Sequence, residues 1–342
     1  MAITTDAPQT TAAKRAEERR VLAGTMVGTT IEWYDFFIYA QAAGLVLAGL
    51  FFAPLAGDNA PLAQLVAWAS LGISFLFRPL GAIVAGHLGD RLGRKAMLVF
   101  TLMMMGAATA LIGLLPTFDQ IGVWAPILLI VLRILQGFSA GGEWGGAALM
   151  SVEHAPVTKR GFFGAYPQIG VPVGLILATG VMLAVTTSMS EEAFLSWGWR
   201  IPFLVSVLLI VVGYVIRKAV DESPVFKEMQ ARKKESAAPL AQLFRGHWRQ
   251  VILTALIFIA NNAAGYMLIA FFSSYATKPV EAGGLGMERS PVLVASTVAA
   301  VFWLASTMLG GILSDRTHPH IPARVCVPVP LVHPYVPAHR HR

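Results

Sequence analysis

Residues 86–95 read Gly-His-Leu-Gly-Asp-Arg-Leu-Gly-Arg-Lys, and residues 311–316 repeat part of this stretch as Gly-Ile-Leu-Ser-Asp-Arg. Each copy of the shared Gly-x-Leu-x-Asp-Arg pattern directly follows a long apolar run, the second and the eighth along the chain. A six-helix unit present twice would place the pattern at these two positions. The repeat therefore predicts two homologous halves.

The apolar runs themselves predict membrane-spanning helices. The chain is 56% hydrophobic and 13% charged, with a mean hydropathy of +0.63, whereas soluble domains are roughly a quarter charged. An α-helix needs roughly 20 apolar residues to cross the hydrocarbon core of a bilayer. The sequence predicts eight spans, at residues 22–52, 64–86, 96–115, 122–150, 161–187, 200–219, 250–275 and 291–313.

The positions of lysine and arginine predict the orientation of these spans. With the N-terminus in the cytoplasm, 21 of the 26 basic residues fall in cytoplasmic segments and three in outer loops. The remaining two, Arg78 and Arg133, fall inside spans. This bias follows the positive-inside rule and predicts a cytoplasmic N-terminus in a bacterial inner membrane.

Several classes of protein are disfavoured. The single Cys326 permits no internal disulfide and no zinc cluster. The sequence has no Gly-x4-Gly-Lys-Ser/Thr loop for nucleotide and no His-Glu-x-x-His pair. The net charge of +7 is explained by cytoplasmic segments that face anionic lipid. We therefore expect no enzymatic activity, no cofactor, no metal and no nucleic-acid partner, and we expect a monomer in a bilayer.

The stretch at 86–95 resembles the loop signature of the major facilitator superfamily. Three further stretches resemble its metabolite:proton symporter family, as does Asp-Glu-Ser-Pro-Val-Phe at 221–226. They are Gly-Thr-Thr-Ile-Glu-Trp-Tyr-Asp-Phe-Phe at 28–37, Arg-Ile-Leu-Gln-Gly-Phe-Ser-Ala-Gly-Gly-Glu-Trp-Gly at 133–145 and Trp-Gly-Trp-Arg-Ile-Pro-Phe at 197–203. The resemblance covers about residues 20–316 and implies an all-α fold of twelve helices in 3+3 inverted repeats, alternating access and proton coupling. Substrates in that family include dicarboxylates, shikimate-like acids and zwitterionic osmolytes.

Charged residues inside spans are the candidates for proton coupling. A charge at membrane depth is energetically costly and is typically found at functional sites. Glu32 and Asp35 are three residues apart, so both face one side of the first span. Two neighbouring carboxylates at low dielectric favour protonation of one, as a proton carrier requires. The alternative is that they only pair with Arg78 and hold the first two spans together.

Arg133 matches the arginine of the superfamily's Arg-x-x-Gln-Gly motif, and the resemblance implies a role in coupling. A guanidinium stays protonated, so it can assist proton release or bind a substrate carboxylate but cannot carry the proton. Further substrate-binding candidates are Arg78, Trp33, Tyr34, Asn261 and Asn262.

The repeated loop pattern is the candidate cytoplasmic gate, because its charges can form an ion-pair and helix-dipole network with neighbouring helix ends. A cluster that only fixes topology is the alternative. The candidate gate residues are Gly86, Asp90, Arg91, Gly93, Arg94, Lys95, Glu143, Asp315 and Arg316. The four-residue spacing of Gly137, Gly141 and Gly145 predicts a close helix contact. Trp197 and Trp199 are interpreted as anchors at the outer interface.

These observations predict a domain organisation. It comprises a cytoplasmic tail at 1–21, a six-helix half at 22–219, a cytoplasmic linker at 220–249, the start of a second half at 250–316 and an aberrant His- and Pro-rich tail at 317–342. About eight of twelve helices are then present, and we expect the tail to reflect a shifted reading frame and the short chain to be inactive alone. A non-transporting membrane sensor or interaction protein, or an inactive remnant, remains the alternative to a transporter.

Overall fold

The computed structural model describes residues 11–57, 59–218 and 279–316, together with parts of 246–277. Within these residues, seven helices are long and apolar enough to span a membrane. They confirm the predicted spans except 250–275, where 12 of the 26 residues lie outside the described residues. Residues 219–245, which include most of the predicted linker, and the tail at 317–342 also lie outside them. We label the long helices α1 (Thr11–Ala42), α2 (Ala60–Leu92), α3 (Arg94–Leu114), α4 (Trp124–Glu153), α5 (Arg160–Ser188), α6 (Ile201–Lys218) and α7 (Arg289–Arg316).

The first helix extends beyond its predicted span at both ends. It begins at Thr11, whereas a tail to residue 21 was expected, and it continues after Ala42 as a π-helical segment, Ala43–Phe52. The Gln64 amide of α2 donates to the carbonyl of Ala43 at the start of that segment, at 3.1 Å. A polar contact from a neighbouring helix thus supports the change in backbone hydrogen bonding.

The centre of the bundle is α1. Of residues 31–43, all but Gln41 are buried, and the helix packs against α4, α5 and α6. A helix that is apolar on every face lies in a protein core or in a membrane, and this part of α1 is surrounded by other helices. Polar side chains on this part of α1 consequently lie inside the protein.

Glycine allows α2 and α4 to approach closely. A Cβ added to Gly137 would lie 2.0 Å from the carbonyl oxygen of Ser74, and one added to Gly141 would lie 2.0 Å from that of Arg78. A side chain at either position would therefore separate the two helices. At Gly145 a Cβ would meet nothing within 4 Å, so the predicted three-glycine contact is wrong for its third member.

The residues just before α6 pack into the core. Trp199 is fully buried, with its ring 5.9 Å from that of Phe51 and 6.1 Å from that of Phe203. Its interpretation as an interfacial anchor is therefore wrong, while Trp197 is 56% exposed as an anchor requires. Next to it, Arg200 Nη1 donates to the carbonyls of Gly113 and Leu115 at 2.8 and 2.7 Å. This guanidinium caps the C-terminus of α3.

Candidate functional site: a buried polar network between four helices

The two carboxylates of α1 are buried and face different partners. Glu32 and Asp35 are each only 2% exposed. Glu32 Oε1 lies 3.3 Å from Arg78 Nη2 on α2, whereas Asp35 Oδ2 accepts a 2.7 Å hydrogen bond from Thr109 on α3. The predicted pairing with Arg78 therefore holds for Glu32, and Asp35 belongs to a separate network.

Arg78 is placed between an acid and aromatic rings. Its Cζ lies 4.6 Å from the centroid of the Phe75 ring and 5.9 Å from that of Trp33. Its side chain keeps 21% of its surface exposed, against 1% for Glu32. The guanidinium is thus held by the acid and by cation–π contacts while one side stays accessible.

Arg133 is connected to Asp35 through two other side chains. Arg133 Nη1 donates to Gln136 Oε1 at 2.8 Å, and Gln136 Nε2 donates to Thr109 Oγ1 at 2.6 Å. The Arg133 guanidinium also stacks on Tyr39, 3.8 Å from the ring centroid. Glu32 forms a direct ion pair with Arg78, whereas no direct ion pair joins Asp35 to Arg133 in the part of the chain that the structure describes.

These groups line one small pocket between α1, α2, α3 and α4, with a cavity volume of about 10 Å³. Buried polar atoms of its lining without a hydrogen-bond partner among the described residues include Asp35 Oδ1, Arg78 Nε, Arg133 Nε and Arg133 Nη2. Buried polar atoms generally need a partner. Asp35 Oδ1 can therefore bind a proton, and the guanidinium N–H groups can donate to a polar group that enters the pocket. The lining residues are Glu32, Asp35, Phe36, Ser74, Arg78, Met105, Arg133, Gln136 and Ala140.

Two other substrate-binding candidates lie apart from this pocket. Tyr34 is fully buried, and its hydroxyl donates to the carbonyl of Pro202 at 2.7 Å. That bond gives Tyr34 a structural role between α1 and α6. Trp33 is 8% exposed and contacts Arg78 through its ring. Asn261 and Asn262 lie outside the described residues.

At the first loop copy, Gly93 separates α2 from α3. Its φ of 104° lies in the left-handed region that only glycine adopts without strain. Lys95 Nζ donates to the carbonyl of Lys218 at 2.8 Å, so it caps the C-terminus of α6. Gly86 and Arg91 are exposed, and the side chains of Asp90 and Arg94 lie outside the description.

Glu143, the candidate gate residue on α4, is fully buried. Its Oε2 accepts a 3.2 Å hydrogen bond from Thr101 of α3. The carboxylate therefore lies at the interface between α3 and α4.

The second loop copy makes a contact that the sequence did not predict. Asp315 accepts hydrogen bonds from the backbone N–H groups of Gly161 and Phe162, at 2.7 and 2.8 Å. A carboxylate at the N-terminus of a helix satisfies orphan donors and stabilises the positive end of the helix dipole. Arg316 is exposed at the end of α7.

Small residues bring α5 and α7 close at this point. A Cβ at Gly161 would lie 2.9 Å from the carbonyl oxygen of Gly311, and one at Gly311 would lie 2.7 Å from Ala165 Cβ. The two helices thus touch almost backbone to backbone beside the Asp315 cap. They belong to different predicted halves, so this contact joins the halves.

Sequence reasoning missed the uncharged members of the network. Gln136 stands three residues after Arg133 inside a quoted motif, and this spacing signalled a shared helix face. Thr109 and Ser70 gave no signal, since hydroxyl residues are common in membrane helices. Ser70 Oγ lies 2.5 Å from the Tyr39 hydroxyl.

Comparisons with known proteins agree with this architecture. A family model described as "Sugar (and other) transporter" matches residues 21–247. A putative metabolite transport protein of Haemophilus influenzae is 44% identical over 301 residues, 84% of this chain and 66% of that protein. The inner membrane metabolite transport protein YhjE of Escherichia coli is 40% identical over 86% of this chain and 66% of that protein. The shikimate transporter of Escherichia coli is 44% identical over 76% of this chain and 59% of that protein.

The chain therefore spans about two thirds or less of the length of these relatives. Among solved structures, the proton:xylose symporter XylE bound to 6-bromo-6-deoxy-D-glucose matches with a TM-score of 0.67 and 16% identity, over 89% of this chain and 70% of that one. At this identity the likeness shows the fold alone. The spans, the fold and the family model agree, and the chain belongs to the sugar (and other) transporter family of the major facilitator superfamily.

Proposed function

We propose that this chain forms the proton-coupling part of a secondary transporter that carries a small organic acid or zwitterion together with protons across a bacterial inner membrane. One observation carries the proposal: a buried carboxylate, Asp35, is linked to a buried guanidinium, Arg133, in a pocket between four membrane helices. Charged groups at such depth are costly and are typical of proton pathways.

The surroundings favour Asp35 over Glu32 as the proton carrier. Glu32 lies 3.3 Å from Arg78, and a neighbouring cation stabilises its ionised form. Asp35 lies beside a neutral hydroxyl, and its Oδ1 has no hydrogen-bond partner among the described residues. A carboxylate with a free oxygen facing a pocket can take up and release a proton. Arg133 assists through its positive charge.

Arg78 is the candidate for substrate recognition. It retains an accessible side and lies beside the rings of Phe75 and Trp33. A guanidinium binds a carboxylate through paired hydrogen bonds, and aromatic rings suit a ring or a quaternary ammonium group. Relatives include a shikimate transporter and a glycine betaine/proline/ectoine/pipecolic acid transporter. These substrate classes share a carboxylate, which supports this assignment.

The contact of Asp315 with the start of α5 is the candidate gate. It joins the ends of two helices from different predicted halves through two hydrogen bonds to a charged acceptor. Alternating access in this fold moves one half against the other around a central site. Separation of α5 from α7 would break both bonds, so the contact favours the closed arrangement of this side.

Uptake into vesicles with an inward-directed proton gradient, acidic outside, tests the proposal. The assay compares this chain with a form extended by the C-terminal third of the Haemophilus influenzae relative, against dicarboxylates, shikimate-like acids and betaines. We expect saturable accumulation that depends on the proton gradient. A pH-sensitive dye inside the vesicles should report proton influx together with the substrate. Binding without accumulation in both forms would favour a sensor, and no response to any substrate class would refute the proposal.

A further inference from the structure

The hydroxyl of Thr109 lies at the junction of the polar network. It is 2.7 Å from Asp35 Oδ2 and 3.0 Å from the carbonyl oxygen of Met105. It also accepts a 2.6 Å hydrogen bond from Gln136 Nε2. A hydroxyl has one hydrogen to donate and two lone pairs to accept. Thr109 can therefore donate to Asp35 or to Met105, but not to both fully.

The neighbouring groups determine which role Thr109 has toward Gln136. The guanidinium of Arg133 only donates hydrogen bonds, so the Gln136 atom at 2.8 Å from Nη1 must be the carbonyl oxygen. The amide N–H of Gln136 then points at Thr109 Oγ1. One lone pair of Thr109 is occupied by this bond, and its own hydrogen stays available for an acceptor.

Both protonation states of Asp35 can be satisfied without movement of heavy atoms. When Asp35 is ionised, Thr109 donates to its Oδ2. When Oδ2 carries a proton that has entered from the solvent as hydronium, which leaves as water, the acid donates to Thr109 Oγ1, and the Thr109 hydrogen turns to the carbonyl of Met105. Thr109 keeps its own proton throughout, so only the direction of two hydrogen bonds changes.

We propose that Thr109 is a positioning residue for proton coupling: its hydroxyl turns between Asp35 and Met105 with the protonation of Asp35, and Gln136 links it to Arg133. The inference rests on the proposed function of Asp35 as proton carrier. Through these hydrogen bonds, a change in the protonation of Asp35 can affect Arg133 although the two side chains are not in direct contact.

Other charged groups around Asp35 come from few elements. Glu32 shares its helix and is held by Arg78 of α2, and Arg133 of α4 is reached through Gln136. Glu143, further along α4, bonds to Thr101. Along α5 and α6, Asp, Glu, Lys and Arg occur only at the helix ends, at Arg160, Arg217 and Lys218. Thr109 is thus the hydrogen-bonding group that α3 presents to Asp35.

The test is an infrared pH titration of the complete 342-residue chain in lipid nanodiscs, which requires no transport. The carboxylic acid band of Asp35 is assigned by its loss in D35N. T109V keeps the shape of the side chain and removes the hydroxyl, T109S restores the hydroxyl, and T25V is a control. Thr25 is also buried, but its hydroxyl donates to the backbone one turn earlier, at Val21.

We expect the protonation midpoint of Asp35 to move to higher pH by about one unit in T109V, because bonds to a charged acceptor are stronger than those to a neutral acid. The ionised form thus loses more than the protonated form. T109S and T25V should titrate like the unaltered chain. If T109V does not fold, T109A also removes the hydroxyl and replaces it in the test.

An unchanged midpoint in the folded variant without the hydroxyl, or an equal shift in T109S, would overturn the role of Thr109 and leave the proposed function standing. A chain in which no band depends on Asp35 would overturn both this inference and Asp35 as proton carrier. Loss of vesicle uptake alone, with the Thr109-dependent titration intact, would count against the proposed function only.

Discussion

Glu32 and Asp35 show how neighbours on three helices give two similar residues different properties. Glu32 is held by the guanidinium of Arg78, which also stacks on aromatic rings. Asp35 is held by a hydroxyl that itself belongs to a chain of neutral donors and acceptors. An ion pair stabilises only the ionised form of a carboxyl group, whereas a hydroxyl can hydrogen-bond to both the ionised and the protonated form. This difference supports the proposal that Asp35, rather than Glu32, exchanges the proton.

This difference predicts distinct effects of neutralisation in the extended transporter. D35N should abolish uphill accumulation and leave exchange down a gradient, because no group then takes up the coupled proton. E32Q should retain accumulation but lower the free energy of unfolding by about 1–3 kcal/mol, since half-buried Arg78 loses its partner. Uptake and counterflow assays with thermal unfolding measure both. Full accumulation by the double variant would show that the pair is structural.

Arg200 provides a second prediction at the same scale. R200M removes two hydrogen bonds from a charged donor to the end of α3, and we expect a loss of about 1–2 kcal/mol in unfolding free energy at this partly exposed position. The matched control is R249M, because Arg249 is exposed and contacts only Trp248 among the described interactions. Equal melting temperatures for the two variants would contradict the capping role.

The sequence predicts the charged members of the pocket but not the uncharged ones. Glu32, Asp35, Arg78 and Arg133 were found because charge is rare in apolar spans, and the structure brings all four to one pocket. Thr109 could not be found in this way, since its importance depends on which face of α3 meets α1. Tyr34 was grouped with the pocket by proximity in sequence, although its position on α1 directs it to Pro202.

At the scale of elements, glycine determines how closely helices pack. G141A should separate α2 from α4, because its Cβ would lie 2.0 Å from the carbonyl oxygen of Arg78. We expect a loss of about 1–3 kcal/mol in unfolding free energy, typical of overpacking. G145A is the matched control on the same helix, with nothing within 4 Å of its Cβ. It should be neutral or stabilising by about 1 kcal/mol, since alanine favours helix.

Hydropathy predicted the positions of the helices well but their ends less accurately. The predicted span at 161–187 corresponds to a helix over Arg160–Ser188. The first helix instead begins at Thr11 and becomes a π-helix at Ala43. Hydropathy reports which residues avoid water, whereas a helix can continue into water and a π-helix depends on partners such as Gln64. Neither property is visible in a run of apolar residues.

At the scale of the whole molecule, the distribution of charge predicts the topology. Reporter fusions after about residues 57, 120, 190 and 285 should report the outer side, and fusions after 93, 157 and 235 the cytoplasmic side. The reason is the concentration of 21 of 26 basic residues on one side. An inside signal at residue 120 would contradict the assignment of the third and fourth spans.

The contact of α7 with α5 ties the two predicted halves together. The first N–H groups of a helix have no partner within that helix, and Asp315 of α7 provides one for Gly161 and Phe162 of α5. Protection of these two amides from hydrogen exchange therefore reports the closed contact directly.

We predict that D315N increases the exchange rate of the Gly161 and Phe162 amides by about tenfold or more, because a neutral amide accepts weaker hydrogen bonds than a carboxylate. The starts of the other helices should exchange as before. S306A is the matched control, because Ser306 lies on the same helix and donates only to the backbone of Trp303. Hydrogen exchange with mass spectrometry on the complete chain measures both variants. Unchanged protection in D315N would mean that Gly161 and Gly311 hold the helices together without the cap, and the gate would then depend on packing rather than on charge.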